Sequence, residues 1–366
     1  MGRSILPYSV LWTGHLPAIS SRRARCSASR SPVSSILRLS TVPVSSVGGV
    51  VYAQFAAQLD SAPPGTNSNF DITRAYLNVI GRFADGILTR VTGDVYQNAD
   101  GSRAYRLKYA FVNWTPSGSA LTYRFGLMTT PWIDWEEALW DYRMQGTVAV
   151  DRNKYMSSSD FGAGVDGNIN SETVDFQASV FDGNNYSGAQ GDQHKAYAAR
   201  VSVRVLGTDD ASRVGGLRLT GYAQFGEPTS GGERSRFIGM LSFRSKMLTL
   251  VGEYVAATDS TTGYPAGAKA EAKSTIISAY GVLHIPDSPV GIIGRVDIVD
   301  PNTANNTTAT SNDKRTTLIA GLSYQLTPNL RLLADIDNTS LQGSTAGSAT
   351  APRKLTQAMF QTQFTF

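Results

Sequence analysis

The stretch "KAYAARVSVRVL", Lys195 to Leu206, decides the fold. Tyr197, Ala199, Val201, Val203 and Val205 share one parity, and Arg200, Ser202 and Arg204 share the other. A period of two places these sets on opposite faces of a β-strand, one oily and one polar. The same beat runs through "VYAQFAAQL" (51–59), "TRAYLNVIGRF" (73–83) and "SRAYRLKYAFVNW" (102–114). In the last, parity sets Tyr105, Leu107, Tyr109 and Phe111 against Arg106 and Lys108.

About sixteen such segments fill residues 47–366, and most hold 9–14 residues. A soluble strand averages about 5–6 residues, whereas a tilted strand needs about 9–11 to cross a bilayer core. The connectors also alternate. Short ones lie at 84–86, 116–119, near 170, 245–246, 286–289 and 327–329; long ones at 60–69, 129–158, 182–194, 259–272, 300–313 and 340–353. Short turns at one end and long loops at the other mark a transmembrane antiparallel β-barrel. A β-sandwich gives no reason for that alternation. The expected fold is therefore all-β, a barrel of about 16 strands over 47–366.

The chain has 366 residues, with 41% hydrophobic and only 17% charged. No run of about 18 apolar residues marks a membrane-spanning helix. The net charge of +4 comes from residues 1–50, which hold six arginines and no acid. Without them 27 basic and 29 acidic residues remain, so nothing calls for nucleic acid. Residues 1–46, with the sole cysteine Cys26, read as a disordered leader or a mis-assigned start. "GAGVDG" (162–167) lies inside an alternating strand, so it is no phosphate loop. His194 and His284 stand apart from other metal-binding residue types, and no cofactor or metal is expected. No nucleophile with a base partner is evident either, so no enzyme is expected.

One segment breaks the beat: "TTPWIDWEEALWDYRMQ", Thr129 to Gln145. Pro131 suits the first position of a helix with Thr130 as its N-cap. Trp132, Ile133, Glu136, Leu139, Trp140 and Arg143 follow a three-to-four spacing, which predicts a short amphipathic helix in the third long loop. Trp135 and the acids Asp134, Glu137 and Asp141 complete its chemistry. Tryptophans gain little by facing water, so the helix should either fold into the lumen or cover the mouth or a subunit interface.

The strand parities point a basic set into the lumen: Arg74, Arg82, Arg90, Arg106, Lys108, Arg124, Arg200, Arg204, Arg218 and Arg236, with Arg244, Arg295 and Arg331 beyond them. Inward acids are fewer: Asp94, Asp175, Glu253, Asp297, Asp335 and Asp337. Rings of arginine or lysine in a pore favour anions. Hairpin register places Arg82, Arg90 and Arg124 in one row and sets Arg106 opposite Asp94. Many of these arginines could equally pair with the loop acids.

The chain ends in "MFQTQFTF", with Phe360, Phe364 and Phe366 on one face. That ending, together with "YRFGLMTTPWIDWEEALWDYRM" (123–144) and "SSSDFGAGV" (157–165), resembles the bacterial outer-membrane porins, in particular the phosphate-selective porin O/P-like group. The resemblance covers about 47–366. It implies a passive diffusion channel of the bacterial outer membrane, a homotrimer surrounded by lipid. The third loop would narrow the pore, and small anionic or polar solutes would pass. An outer-membrane barrel enzyme and a closed structural barrel are the alternatives.

Overall fold

The structure, a computed structural model, describes residues 44–60, 68–98, 100–170, 172–188, 193–227, 232–264, 268–305, 313–342 and 354–366. The expected leader falls outside them except for its last residues, which lie in the first strand.

Sixteen strands form one closed antiparallel barrel in chain order. The first half comprises β1 (Val44–Gln58), β2 (Ser68–Arg82), β3 (Ile87–Gln97), β4 (Arg103–Trp114), β5 (Leu121–Thr129), β6 (Ser159–Ile169), β7 (Val174–Phe181) and β8 (Ala196–Leu206). The second half comprises β9 (Gly216–Gly226), β10 (Glu233–Arg244), β11 (Leu248–Tyr264), β12 (Ala268–His284), β13 (Val290–Asp300), β14 (Arg315–Thr327), β15 (Leu330–Leu341) and β16 (Lys354–Thr365). The connector between β5 and β6 carries helices α1 (Pro131–Leu139) and α2 (Ala149–Arg152).

The seam joins β1 to β16, with Phe55 opposite Phe360. Gly49 and Phe366 exchange backbone bonds of 2.9 and 3.1 Å there. A side chain at Gly49 would lie 2.5 Å from the Phe366 ring, so glycine is required for that approach. Closure pairs the edge strands, which is what lets a sheet stand in hydrocarbon.

Burial is inverted relative to a water-soluble fold. Outward Phe125, Leu219 and Leu322 are 72%, 56% and 60% exposed, whereas inward Asp94 and Arg218 are 1% and 0% exposed. Exposed apolar side chains recur on strand after strand around the wall. That belt exceeds the few hundred Å² a water-soluble monomer leaves bare, and it suits lipid.

Two departures from the sequence pattern are local. The β3–β4 register shifts between Thr92 and Gly93, leaving Lys108 as the extra residue of a bulge. A bulge moves every later side chain to the other face. Tyr109 and Phe111, expected outside with Leu107, therefore turn inward and are buried. The connector expected at 259–272 is mostly strand instead. β11 and β12 continue pairing to Tyr264 and Ala268.

Candidate functional site: the lumen and its inner loop

The β5–β6 connector folds into the barrel. Trp132, Ile133, Trp135, Leu139 and Trp140 are all fully buried. Helix α1 begins at Pro131 as its sequence predicts, but Thr130 caps nothing. Its hydroxyl instead donates to the Ser157 carbonyl at 2.6 Å, pinning the two ends of the loop together. The helix also stops at Leu139, short of the three-to-four pattern that runs on to Arg143. From Trp140 the backbone carbonyls turn towards the wall.

Those carbonyls are held by side chains from successive strands. Arg200 Nε donates to Pro131 O at 3.1 Å, and Arg244 Nη1 to Ala138 O at 2.7 Å. Arg331 Nη1 reaches Asp141 O at 3.1 Å, Gln361 Nε2 reaches Met144 O at 2.8 Å, and Arg295 Nη1 reaches Thr147 O at 2.9 Å. Arg236 Nε closes the series on Tyr155 O at 3.0 Å. A helix end and an irregular loop expose carbonyls that need donors. Guanidinium groups supply several donors from one rigid fork, and here they and the Gln361 amide satisfy the loop from β8 round to β16.

The wall also takes the loop's side chains. Trp135 stacks under Arg200, 4.0 Å from its ring centre. Within the loop, Trp132 donates to Glu136 Oε2 at 2.9 Å, and Trp140 donates to Gly146 O at 3.2 Å. Tyr142 pairs with Ser323 at 2.7 Å, and Arg152 bonds Asp337.

The expected acids do not face open lumen as a set. Asp134 pairs with Arg213 at 2.8 Å, an arginine in the β8–β9 turn that parity could not place. Burial alone would raise its carboxyl, but Arg213 and then Arg124 bring it down to about 2. Glu137 bonds Arg143 within the loop, and Asp151 joins at 3.8 Å. Burial still lifts Glu137 above the ordinary carboxylate value, against the pull of Arg143. Asp141 lies 4.0 Å from Arg244. Glu136 is fully buried; burial, and then the facing carboxyl of Glu253 on β11, push it well above the ordinary value.

The expected basic residues divide into two groups. Arg200, Arg218 and Arg236 are covered: Arg200 and Arg236 by the loop, while Arg218 donates to Gly215 O and Glu172 O at 3.1 and 2.8 Å. Arg204 stands opposite Arg218 in the β8–β9 register. The second group lines β2 to β5, the side the carbonyl clamps leave uncovered. Arg90 bonds Thr92 and Asn78, each at 3.0 Å. Arg124 lies 3.4 Å from Asp166. Lys108 is buried on Ser158 by a hydrogen bond. Arg74 and Arg106 share one oxygen of Asp94, at 3.3 and 3.8 Å, so the expected Arg106–Asp94 pairing forms with a third member.

The row expected from hairpin register is corrected by the β4–β5 pairing, which sets Arg124 opposite Asn113. Arg82 faces Leu88, Leu88 faces Asn113, and Asn113 faces Arg124. Arg90 lies one row away, opposite Phe111.

Across from this wall stands the loop cluster of Glu137, Arg143 and Asp151. Arg143 and Glu137 lie within electrostatic reach of both Tyr52 and Arg74. On this side Arg74, Arg90 and Arg106 stay partly exposed, the first and last beside Asp94, while Lys108 and Arg124 are buried against Ser158 and Asp166. Sequence reasoning missed the tyrosines among them. Tyr76, Tyr96, Tyr109 and Tyr186 each lie within 5.8 Å of a cation. Tyr186 comes from the β7–β8 loop, where no periodicity marks it.

No family model matches the chain, and no curated protein matches it. Solved structures do. The anion-selective porin from Comamonas acidovorans is similar with a TM-score of 0.65 at 10% identity, covering 89% of this chain and 100% of that one. OmpF of Salmonella typhi, in complex with daunomycin, gives a TM-score of 0.64 at 10% identity, covering 88% and 97%. The trimer form of OmpT from Vibrio cholerae, folded in vitro, gives 0.62 at 9% identity, covering 88% and 99%. The shared property is the porin-like sixteen-strand barrel.

Proposed function

We propose that this chain is a passive diffusion channel of the bacterial outer membrane, passing small hydrophilic solutes with a preference for anions. The observation that carries the preference is the charge division inside the barrel. Of the loop's acids, Asp134, Glu137 and Asp141 each lie beside an arginine, Arg213, Arg143 or Arg244, while the β2–β5 wall holds more cations than acids. A solute on that side meets a positive bank, and ions of that sign in a pore favour anions. The inner loop, with Trp132, Trp135, Glu136 and Trp140 at its anchored side, narrows the passage. The apolar belt sits in lipid, and the assembly is a homotrimer. Inorganic phosphate is a weaker candidate solute, because the uncovered wall offers scattered single charges rather than a lysine cluster.

Planar-bilayer recording of the purified chain tests this. Discrete conductance steps and a zero-current potential on the anion side of a salt gradient are expected. Replacing residues 132–142 by a short Gly/Ser linker should raise the step size, since it removes volume from the lumen. A chain that folds but gives no steps overturns the channel. Steps with cation selectivity overturn the preference, and an unchanged step size in the linker variant overturns the narrowing role.

A further inference from the structure

Arg106 points into the barrel from β4 with its hydrogen-bonding capacity unspent. Its guanidinium carbon lies 5.0 Å from the centre of the Tyr96 ring and 4.6 Å from that of Tyr186. Its closest carboxylate oxygen, on Asp94, is 3.8 Å away, beyond hydrogen-bond distance. Its Nε is buried with no acceptor. The contrast with Arg200, Arg236, Arg244 and Arg295 is chemical. Each of those donates to a loop carbonyl and an acid. Arg106 is held in place by two aromatic rings, and its side chain is 30% exposed.

A guanidinium has five N–H donors in a flat fork that matches a carboxylate through two parallel bonds. Local charge fits an anion: Arg74 and Arg106 share the one charge of Asp94, and Lys108 lies 3.7 Å from the centre of the Tyr186 ring. The aromatic walls add a shape requirement. Tyr96 and Tyr186 present ring surface beside the fork, and Tyr76 lies beside Arg74, 5.1 Å from its guanidinium carbon. A ligand that continues from its carboxylate into a flat apolar body gains ring contacts there, and aromatic pairs contribute beyond simple burial. Chloride has no body to place, and a tetrahedral phosphate has no flat one.

We propose that Arg106, with Tyr96 and Tyr186, forms a binding site for planar organic carboxylates on the way into the channel. The inference rests on the channel reading above and names a solute class for it. The test uses the full chain folded in detergent, with titration calorimetry of benzoate, cyclohexanecarboxylate and inorganic phosphate. Benzoate should bind at least tenfold more tightly than phosphate and severalfold more tightly than cyclohexanecarboxylate. Arg106→Gln and Tyr186→Leu, each checked for folding by faster migration unboiled than boiled, should each weaken benzoate about tenfold or more. If one variant does not fold, the other decides; if neither folds, the ranking of ligands on the unaltered chain decides. Phosphate binding as tightly as benzoate, no benzoate heat, or folded variants that bind unchanged overturn the proposal. The two readings fail separately: a conducting chain that ignores benzoate loses the site and keeps the channel, whereas a chain that binds benzoate without conducting loses the channel.

Discussion

Arg244→Gln should loosen the inner loop by a calculable amount. The guanidinium of Arg244 is nearly buried, with its Nε 2.7 Å from Asp210 and Nη1 2.7 Å from the Ala138 carbonyl. The Asp210 pair joins two parts of the wall and is the same whether the loop is closed or open, so the loop is held by the charge-assisted bond to Ala138 O, worth about 1.5–3 kcal/mol. Glutamine still offers one neutral hydrogen bond, worth about 1 kcal/mol. The net loss is then roughly 0.5–2 kcal/mol, and about 1.4 kcal/mol corresponds to a ~10-fold rise in the opened population. Arg143, Arg152 and Lys154 make the loop cleavable by trypsin once it leaves the wall. When opening is fast relative to cutting, the cleavage rate follows that population. Digestion of folded protein should therefore show loop cleavage about one order of magnitude faster in Arg244→Gln than in the unaltered chain. Arg103→Gln provides the scale: its pair with Asp71 is at the rim and a third exposed, so its loss is worth at most ~1 kcal/mol. Equal cleavage rates in the two variants would refute the clamp.

The remaining predictions concern charge. Changing Arg74, Arg90 and Arg124 together to glutamine should move the zero-current potential towards cations at about 0.1 M salt and much less at 1 M, where screening falls to about 3 Å; an unmoved potential means these arginines serve the wall alone. Glu136 has a carboxyl raised well above 4.5 by burial and then by Glu253. A raised acid stabilises the folded state fully below its unfolded value, and that contribution is lost as pH rises from about 4.5 through the folded value. Loop cleavage by a protease active across the range should therefore quicken from pH 5 to pH 9, and Glu136→Gln should flatten that slope; the same slope in both would exclude Glu136 as its source.

The fold was legible because lipid and a polar lumen impose one rule on every strand. Alternation in segments such as 195–206 gave sixteen strands, which β1 and β16 close into a ring. The helix at Pro131 was legible from local chemistry. What parity could not reach was anything set by a single-residue defect or by backbone partners. The bulge at Lys108 has no signature in its own residues, yet it turns Tyr109 and Phe111 inward, and the β4–β5 register that separates Arg124 from Arg90 is equally unmarked. Arg213 and Tyr186 lie in connectors, where no period exists to read. The deepest ambiguity lies in the arginines themselves. Parity says that Arg106 and Arg236 both face the lumen, but not what each guanidinium does there. Arg236 spends its donors on Tyr155 O, Thr258 O and Asp259, so it fixes the loop and offers little to a passing ion. Arg106 touches rings and one distant oxygen, so its charge and donors stay available. A count of inward arginines therefore overstates the field a solute meets. The meaningful count takes only those whose donors no loop carbonyl occupies, and these cluster on β2 to β5.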